Sequence, residues 1–234
     1  MIGITMATYR RADGSTPKFL KRALESIVNQ TFQNYKLFLI GDRYDDPEEL
    51  IEISKIIPAD KLVLVNLNFA LERDVYTAPD EKIILWNTGG TNAVNYAINK
   101  AVAEGIYDLC HLDHDDYWMP NHLEEINKAI HAFAKKPAFL FTLSRFINNP
   151  VFPQLPPDGT IESRMPAYAQ LIHSSVYIDY KQLDLRYRNV WAEQRMLFPS
   201  DGDMWNRCRE RMLSNNLTSY VIKKVTCVHD LENH

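Results

Sequence analysis

Asp113, Asp115 and Asp116 put three carboxylates within four residues of this 234-residue chain. They lie in His111-Leu-Asp-His-Asp-Asp-Tyr-Trp118, directly after the apolar run Ile106-Tyr-Asp-Leu-Cys110. That run has the length of a buried strand, and Pro120 stands where a helix could begin. The acids therefore crowd one strand-to-helix junction. Two carboxylates about 5 Å apart repel by roughly 3 kcal/mol at an effective dielectric near 20. A divalent cation turns that repulsion into binding, because hard cations take oxygen ligands. In α/β sheets, ligands sit beyond the carboxyl ends of the strands, where this cluster falls. The plainer alternative is a solvated acidic turn that caps the Pro120 helix.

The flanking elements must hold this turn in place. Ile2 to Thr8 is a β-rich apolar run and reads as a first buried strand. Thr16-Pro17 starts a helix, with Thr as N-cap and Pro at the first position. Phe19, Leu20, Ala23, Leu24, Ile27 and Val28 form its core face. Tyr35 to Ile40 is a second strand, Asp46-Pro47 opens a helix to about Ile57, and Lys61 to Val65 is a third strand. This alternation predicts a parallel sheet with right-handed crossovers. Asn66 to Trp86 follows no clear period; loops of that length are usually functional. Gly89-Gly90 opens a helix from Thr91 to Val102, and another runs from Pro120 to Lys135. Pro137 to Phe146 and Gln170 to Ile178 read as strands. Between them, prolines 150, 153, 156, 157 and 166 argue against regular structure from Asn148 to Pro166. Asp201 to Leu213 is a helix and Thr218 to His229 a β-branched strand.

Bulk properties narrow the function classes. Hydrophobic content of 46% and charged content of 24% are those of an ordinary globular protein. A net charge of −4 advertises neither nucleic acid nor an anionic membrane. Cys110, Cys208 and Cys227 are odd in number and far apart, with no zinc or disulfide spacing. No secretory signal and no transmembrane run is evident, so a cytoplasmic protein is expected. The length fits a single domain over 1–234, with two halves meeting at about 118–119.

Several short segments, in order, resemble the GT-A nucleotide-sugar glycosyltransferases, in particular the inverting family 2. They are Ile4-Thr-Met-Ala-Thr-Tyr-Arg10, Leu24-Glu-Ser-Ile-Val-Asn-Gln-Thr31, and Leu37 to Asp42 with Asp45 and Asp46 beyond. Gly90-Thr-Asn-Ala-Val-Asn95, Leu112-Asp-His-Asp-Asp-Tyr-Trp118 and Asp201-Gly-Asp-Met-Trp-Asn-Arg207 complete the set. The resemblance implies an α/β fold, a Rossmann-like three-layer sandwich with a mostly parallel central sheet. It also implies transfer of a sugar from a nucleoside diphosphate sugar to an acceptor hydroxyl, with Mn²⁺ or Mg²⁺. A UDP-sugar is the expected donor and a carbohydrate or glycoconjugate the acceptor; a homodimer is compatible with the sequence.

By that resemblance Asp115 is the direct metal ligand, and Asp113 faces the donor sugar or ribose. A histidine near the C-terminus completes the metal site, with His229 the candidate and His234 the competitor. Thr8 and Tyr9 lie beside the base, Asp42 accepts from its imide edge, and Arg10 meets the diphosphate. Asn95 and His114 complete the nucleotide-binding set, and His111 supports the acids from behind. Asp201 is the general base that takes the acceptor proton, with Asp203 second. Trp191, Trp205, Tyr168 and Tyr177 are candidates for stacking on acceptor sugars.

Plainer readings stand beside these. Ser200 and Asp201 make a good helix N-cap, Asp42 a turn residue, Asn95 an ordinary helix position, and each Trp a core residue. A phosphohydrolase built on His111, His114, Asp115 and Asp116 is one alternative function. A sugar-nucleotide pyrophosphorylase is another, for which Arg10-Arg-Ala-Asp-Gly-Ser15 is a weak glycine loop. A non-catalytic nucleotide-sugar-binding protein is the third, because Gly41, Val94 and Ser200 depart from the family pattern.

Overall fold

The computed structural model describes residues 1–146, 151–189 and 199–229. Pro150, Trp191 and His234 lie outside the described residues. The chain opens with β1 (Ile2–Thr8), α1 (Thr16–Val28), β2 (Tyr35–Gly41), α2 (Pro47–Ser54) and β3 (Leu62–Asn66). The segment without a clear period holds two short helices, α3 (Leu71–Val75) and α4 (Lys82–Thr88). Next come α5 (Thr91–Ala103), β4 (Asp108–His111), β5 (Tyr117–Trp118), α6 (His122–His131) and β6 (Phe139–Phe146). The proline-rich stretch is not wholly irregular: it supplies two edge strands, β7 (Val151–Phe152) and β8 (Ile161–Ser163). A 3₁₀ turn, His173–Ser175, leads into β9 (Val176–Asp179). The chain then forms α7 (Ser200–Ser214) and β10 (Ser219–His229).

The strands join in one mixed sheet, ordered β3-β2-β1-β4-β9-β6-β10-β5, with β7 beside β6 and β8 beside β10. The first four are parallel, and the long β6–β10 ladder is parallel too. β9 is inserted antiparallel between β4 and β6. Alternation along β2 shows why the sheet is covered on both faces. Leu37 and Leu39 pack into a core with Leu20, Leu24, Leu123 and Ile126 from α1 and α6. Phe38 and Ile40 point the other way, toward Ala97 and Ile98 of α5 and Met204 and Met212 of α7. The result is a three-layer α/β sandwich, as the sequence implied.

Two differences from expectation matter for the site. α6 begins at His122, not Pro120, and its N-cap residue Asn121 makes no side-chain cap. The acids lie before β5 and do not cap that helix. The strand expected from Gln170 is instead turn for its first half, because Ser175 N bonds Ile172 O and the backbone bends at His173. That bend delivers His173 and Ser174 to the acidic turn.

Candidate active site

The nucleotide end of the site is built where β1 and β2 stop. The Asp42 backbone N–H donates to Thr8 O at 2.7 Å, locking the two strand ends together. Asp42 is 1% exposed, and Arg73 of α3 donates to its Oδ2 at 3.2 Å and to its backbone carbonyl. Asp42 Oδ1 and Thr8 Oγ1 are buried without a hydrogen-bond partner among the described residues. Such orphans are rare in a settled interior, and a carboxylate oxygen left this way suits a ligand N–H. Burial pushes the Asp42 carboxyl up, against the pull of Arg73. The Arg73 guanidinium lies 5.1 Å from the Tyr9 ring centroid, and His114 meets the same ring edge-on at 5.7 Å. His114 is buried, its pKa is lowered chiefly by burial, and its Nε2 has no partner among the described residues.

Glu72, the neighbour of Arg73, fixes the start of α5. The Gly90 residue before that helix has φ +76°, the left-handed region that favours glycine. No side chain of its own caps the helix. Glu72 reaches across instead, accepting from Thr91 Oγ1 at 2.5 Å and from Asn92 N at 2.9 Å. Its anionic side chain also suits the positive end of the helix.

The acidic turn is held from several sides. Asp116 is fully buried; its Oδ1 accepts from His229 Nδ1 at 2.8 Å and its Oδ2 from Ser174 Oγ at 2.5 Å. Burial opposes the charged imidazole, but the Asp116 hydrogen bond and charge raise His229 to about 9. Asp115 Oδ2 accepts from Arg11 Nη2 at 2.7 Å, and Arg22 donates to the Asp115 carbonyl. Asp113 Oδ1 accepts from His173 Nδ1 at 2.8 Å. Burial raises the Asp113 carboxyl, but the His173 charge and hydrogen bond outweigh it and the net shift is downward. His111 sits behind the turn, with its Nδ1 2.6 Å from Thr5 Oγ1 and its Nε2 3.2 Å from Tyr180 Oη. Burial lowers its pKa well below normal, so it is a neutral packing group.

Among the described residues, no three His, Cys, Asp or Glu side chains converge into a ready-made metal cage. The donor set nevertheless suits a cation that arrives with an anionic ligand. With Nδ1 given to Asp116, His229 presents Nε2, which has no partner among the described residues. A carboxylate that orients a histidine in this way is a recurrent feature of metal sites. Asp115, whose charge acts on His229, is a hard carboxylate of the kind such cations take, and the ligand's own oxygens would complete the coordination.

The opposite wall comes from α7. Ser200 is already helical and Pro199 occupies the N-cap position with no side-chain cap, so Asp201 lies in the first turn and does not serve as an N-cap. Among the described residues, its Oδ1 accepts only from the adjacent Gly202 N–H, at 2.7 Å. Burial raises its pKa, and the charges of His173 and Asp113 act on it in opposite senses. Asp203 is engaged differently, with Arg207 at 2.7 Å on Oδ2 and Arg188 at 3.3 Å on Oδ1. Gly202 is required between them: a Cβ there would meet Tyr168 Cδ2 at 2.2 Å. Tyr168 is thereby laid against the helix and remains 47% exposed.

The structure thus brings Thr8, Tyr9, Asp42 and His114 to one sheet end with Asp113, Asp115, Asp201 and His229. It does not bring Arg10 or Asn95 to that set. Arg10 pairs with Glu49 at 3.0 Å, and Arg11 takes the place beside the acids. The Asn95 side chain is used up on the Tyr187 backbone. Trp205 is 1% exposed and stacks on His173, while Tyr177 is buried and bonded to Asp108 at the far end of the sheet. Neither is free to stack on an acceptor. Arg11, Glu72, Arg73, His173, Ser174 and Tyr187 were not foreseen. Only Arg11, adjacent to Arg10, left a signal in the sequence.

Comparison with known proteins follows this geometry. No family model matches the chain. It is 34% identical to a protein of Acanthamoeba polyphaga mimivirus named as an uncharacterised glycosyltransferase, over 98% of this chain and 93% of that one. It is 24% identical to another so named from Methanocaldococcus jannaschii, over 89% of this chain and 64% of that one. Among solved structures, S. aureus TarS residues 1–349 superpose with a TM-score of 0.67 at 15% identity, covering 98% of this chain and 60% of that fragment. TarS has also been solved with UDP-GlcNAc. The mannosyltransferase PcManGT of Pyrobaculum calidifontis, in complex with GDP-Man and Mn²⁺, superposes at 0.58 with 12% identity, over 97% of this chain and 56% of that one. This chain therefore spans about three-fifths of those two solved chains and 36% of the longer TarS chain.

Proposed function

The chain belongs to the glycosyltransferases and has their GT-A fold, and from that premise we propose that it is a metal-dependent, inverting, family 2 type enzyme that moves a sugar from a UDP-sugar to a hydroxyl of a carbohydrate or glycoconjugate. One observation carries this reading. An Asp42 acceptor orphaned among the described residues, the acidic turn and the Asp201 carboxylate, which has no ion pair among the described residues, face the same end of the sheet. The base would dock on Tyr9 and give an N–H to Asp42, with Arg73 holding that carboxylate in plane. Arg11 is the cation for the diphosphate. Asp115 and His229 would hold Mn²⁺ or Mg²⁺, which when bound supplies positive charge as the diphosphate leaves.

Asp201 acts on the acceptor. Its carboxylate accepts the hydroxyl proton while the acceptor oxygen bonds to the anomeric carbon. The bond from that carbon to the diphosphate breaks on the opposite side and its electron pair leaves with phosphate, so the configuration inverts. A base is most effective when its pKa approaches the working pH, and burial moves Asp201 in that direction. Asp203, engaged with Arg207 and Arg188, instead fixes the helix that carries the base.

The test is thermal unfolding with UDP-, GDP-, dTDP- and CMP-sugars, each with Mn²⁺ or with EDTA. A donor at 100 times its dissociation constant should add roughly 2.7 kcal/mol of stability. That gain is expected for UDP-sugars, only with metal, and not in Asp115→Ala. Equal stabilisation in EDTA would remove the metal from the proposal, and preference for another nucleotide would remove uridine.

A further inference from the structure

His173 is the member of the site that no role above uses. Its imidazole stacks on His111 at 5.0 Å and on Trp205 at 6.0 Å, and meets the Tyr187 ring edge-on at 5.7 Å. Its two nitrogens are both engaged, Nδ1 with Asp113 Oδ1 at 2.8 Å and Nε2 with Tyr187 Oη at 3.0 Å. Tyr187 is fixed in turn by Asn95, whose Nδ2 donates to Tyr187 O and whose Oδ1 accepts from Tyr187 N, each at 2.8 Å. The neighbouring Ser174 grips the same turn, since its Oγ accepts from Asp113 N at 3.0 Å.

This buried chain of contacts ends on a carboxylate that is only partly buried. The Asp113 side chain is 41% exposed, while that of His173 is 12% exposed. Ion pairs to half-exposed carboxylates add little to stability. What such a tether does supply is orientation. With Oδ1 held, Oδ2 is left without a hydrogen bond among the described residues. A carboxylate fixed before the ligand arrives loses less rotational freedom on binding.

Resting on the donor reading above, we propose that His173, braced by Tyr187 and Asn95, is a positioning residue that turns Asp113 so that Oδ2 meets a hydroxyl of the donor sugar. The nucleotide does not need this contact; the sugar does. The relay therefore sets how strongly the enzyme distinguishes a UDP-sugar from UDP. The charge balance agrees with it. Burial lowers the His173 pKa, but the Asp113 charge and hydrogen bond more than offset this, so the imidazole can donate from both nitrogens.

The experiment is calorimetric binding of UDP and of UDP-GlcNAc, with Mn²⁺, to the wild-type chain and to His173→Ala, His173→Asn and Tyr187→Phe. His173→Ala is expected to bind UDP within about twofold of wild type and to lose roughly tenfold for UDP-GlcNAc. His173→Asn keeps an N–H near the Nδ1 position and should recover most of that loss. Tyr187→Phe keeps the ring and should fall between. Asp113→Asn combined with His173→Ala should lose no more than Asp113→Asn alone. Parallel weakening of both ligands, or no change in either, would overturn the assignment while leaving the donor reading intact. Failure of the wild-type chain to bind either ligand would overturn the donor reading and this assignment with it.

Discussion

Strand β4 has acids at both ends, and the two groups are treated in opposite ways. At its start Asp108 lies opposite Asp179 of β9. Lys136 bridges them, with its Nζ 3.0 Å from Asp179 Oδ2 and bonded to Asp108 Oδ1. Tyr177 Oη donates to Asp108 at 2.6 Å, and Asp179 also accepts from Lys181 N and Gln182 Nε2. Just beyond the end of β4 are Asp113, Asp115 and Asp116, where the counter-charges are Arg11 and two imidazoles. In the first group a single lysine bridges both carboxylates. The second leaves Asp113 Oδ2 and His229 Nε2 without partners among the described residues and has Asp201 near enough to feel its charge. Acids whose charge is answered inside the fold hold strands together; acids left partly unanswered are set for a ligand.

The largest expected effect removes the least-answered acid. Asp201→Asn should lower transfer about a thousandfold, within the 10²–10⁴ range for a general base, with donor binding nearly unchanged. Initial-rate assays with the donor found in the thermal screen would check this. An Asp201→Asn enzyme within tenfold of wild type would move the base elsewhere.

The same contrast predicts the reverse outcome at the other end. Lys136→Met leaves Asp108 and Asp179 facing each other, and breaking a buried pair costs about 3–5 kcal/mol. Lys136 is 37% exposed, so solvent screening reduces the expected loss to about 2 kcal/mol. Urea unfolding would measure it, and donor affinity should not change in the folded protein.

A third distinction is pH. The folded pKa of His229, about 9, lies above the ordinary 6.5. The stability from its pair with Asp116 is therefore complete below pH 6.5 and is lost as pH rises through about 9. With 19% of the side chain exposed, a loss of about 2 kcal/mol is expected. Lys136 stays charged across this window, since its hydrogen bonds to Asp108 and Asp179 raise it despite burial. Unfolding in EDTA between pH 6 and 9 should slope downward for wild type and flatten in His229→Gln. Parallel slopes would place the titrating group elsewhere.

How much of this contrast was legible depended on whether a residue acts through local sequence. The acidic turn, the strand before it and the Asp42 strand end follow from apolar runs and their punctuation, and the structure puts them together. Arg73 and Glu72 lie in a segment where two short helices lack the length to show a period. His173 was hidden because Gln170 to Ile178 is apolar enough for a strand, and only the Ile172–Ser175 backbone bond turns it. The resemblance points to Arg10, and strand alternation cannot say which of two adjacent arginines turns inward beyond the strand end; Arg11 is the one that pairs with the acids. Asn95 fits its motif in sequence, but its partner is a backbone segment 92 residues away. Pairings at that distance are set by tertiary packing.

The smallest expected effect tests the contrast most directly. Burial raises the Asp201 pKa, so its ionised form is disfavoured in the folded chain relative to the unfolded one. Asparagine has nearly the same shape and no charge. Without ligand, Asp201→Asn should therefore gain stability, by under about 1 kcal/mol and roughly 2–4 °C in melting temperature. Asp179→Asn should do the opposite, because it removes charge from a carboxylate that Lys136, Gln182 and the Lys181 N–H all answer. Two changes of identical chemistry, at acids near opposite ends of β4, would then shift the melting temperature in opposite directions. If both lower it, Asp201 belongs with the acids that hold the fold, and its assignment as the base loses its electrostatic support.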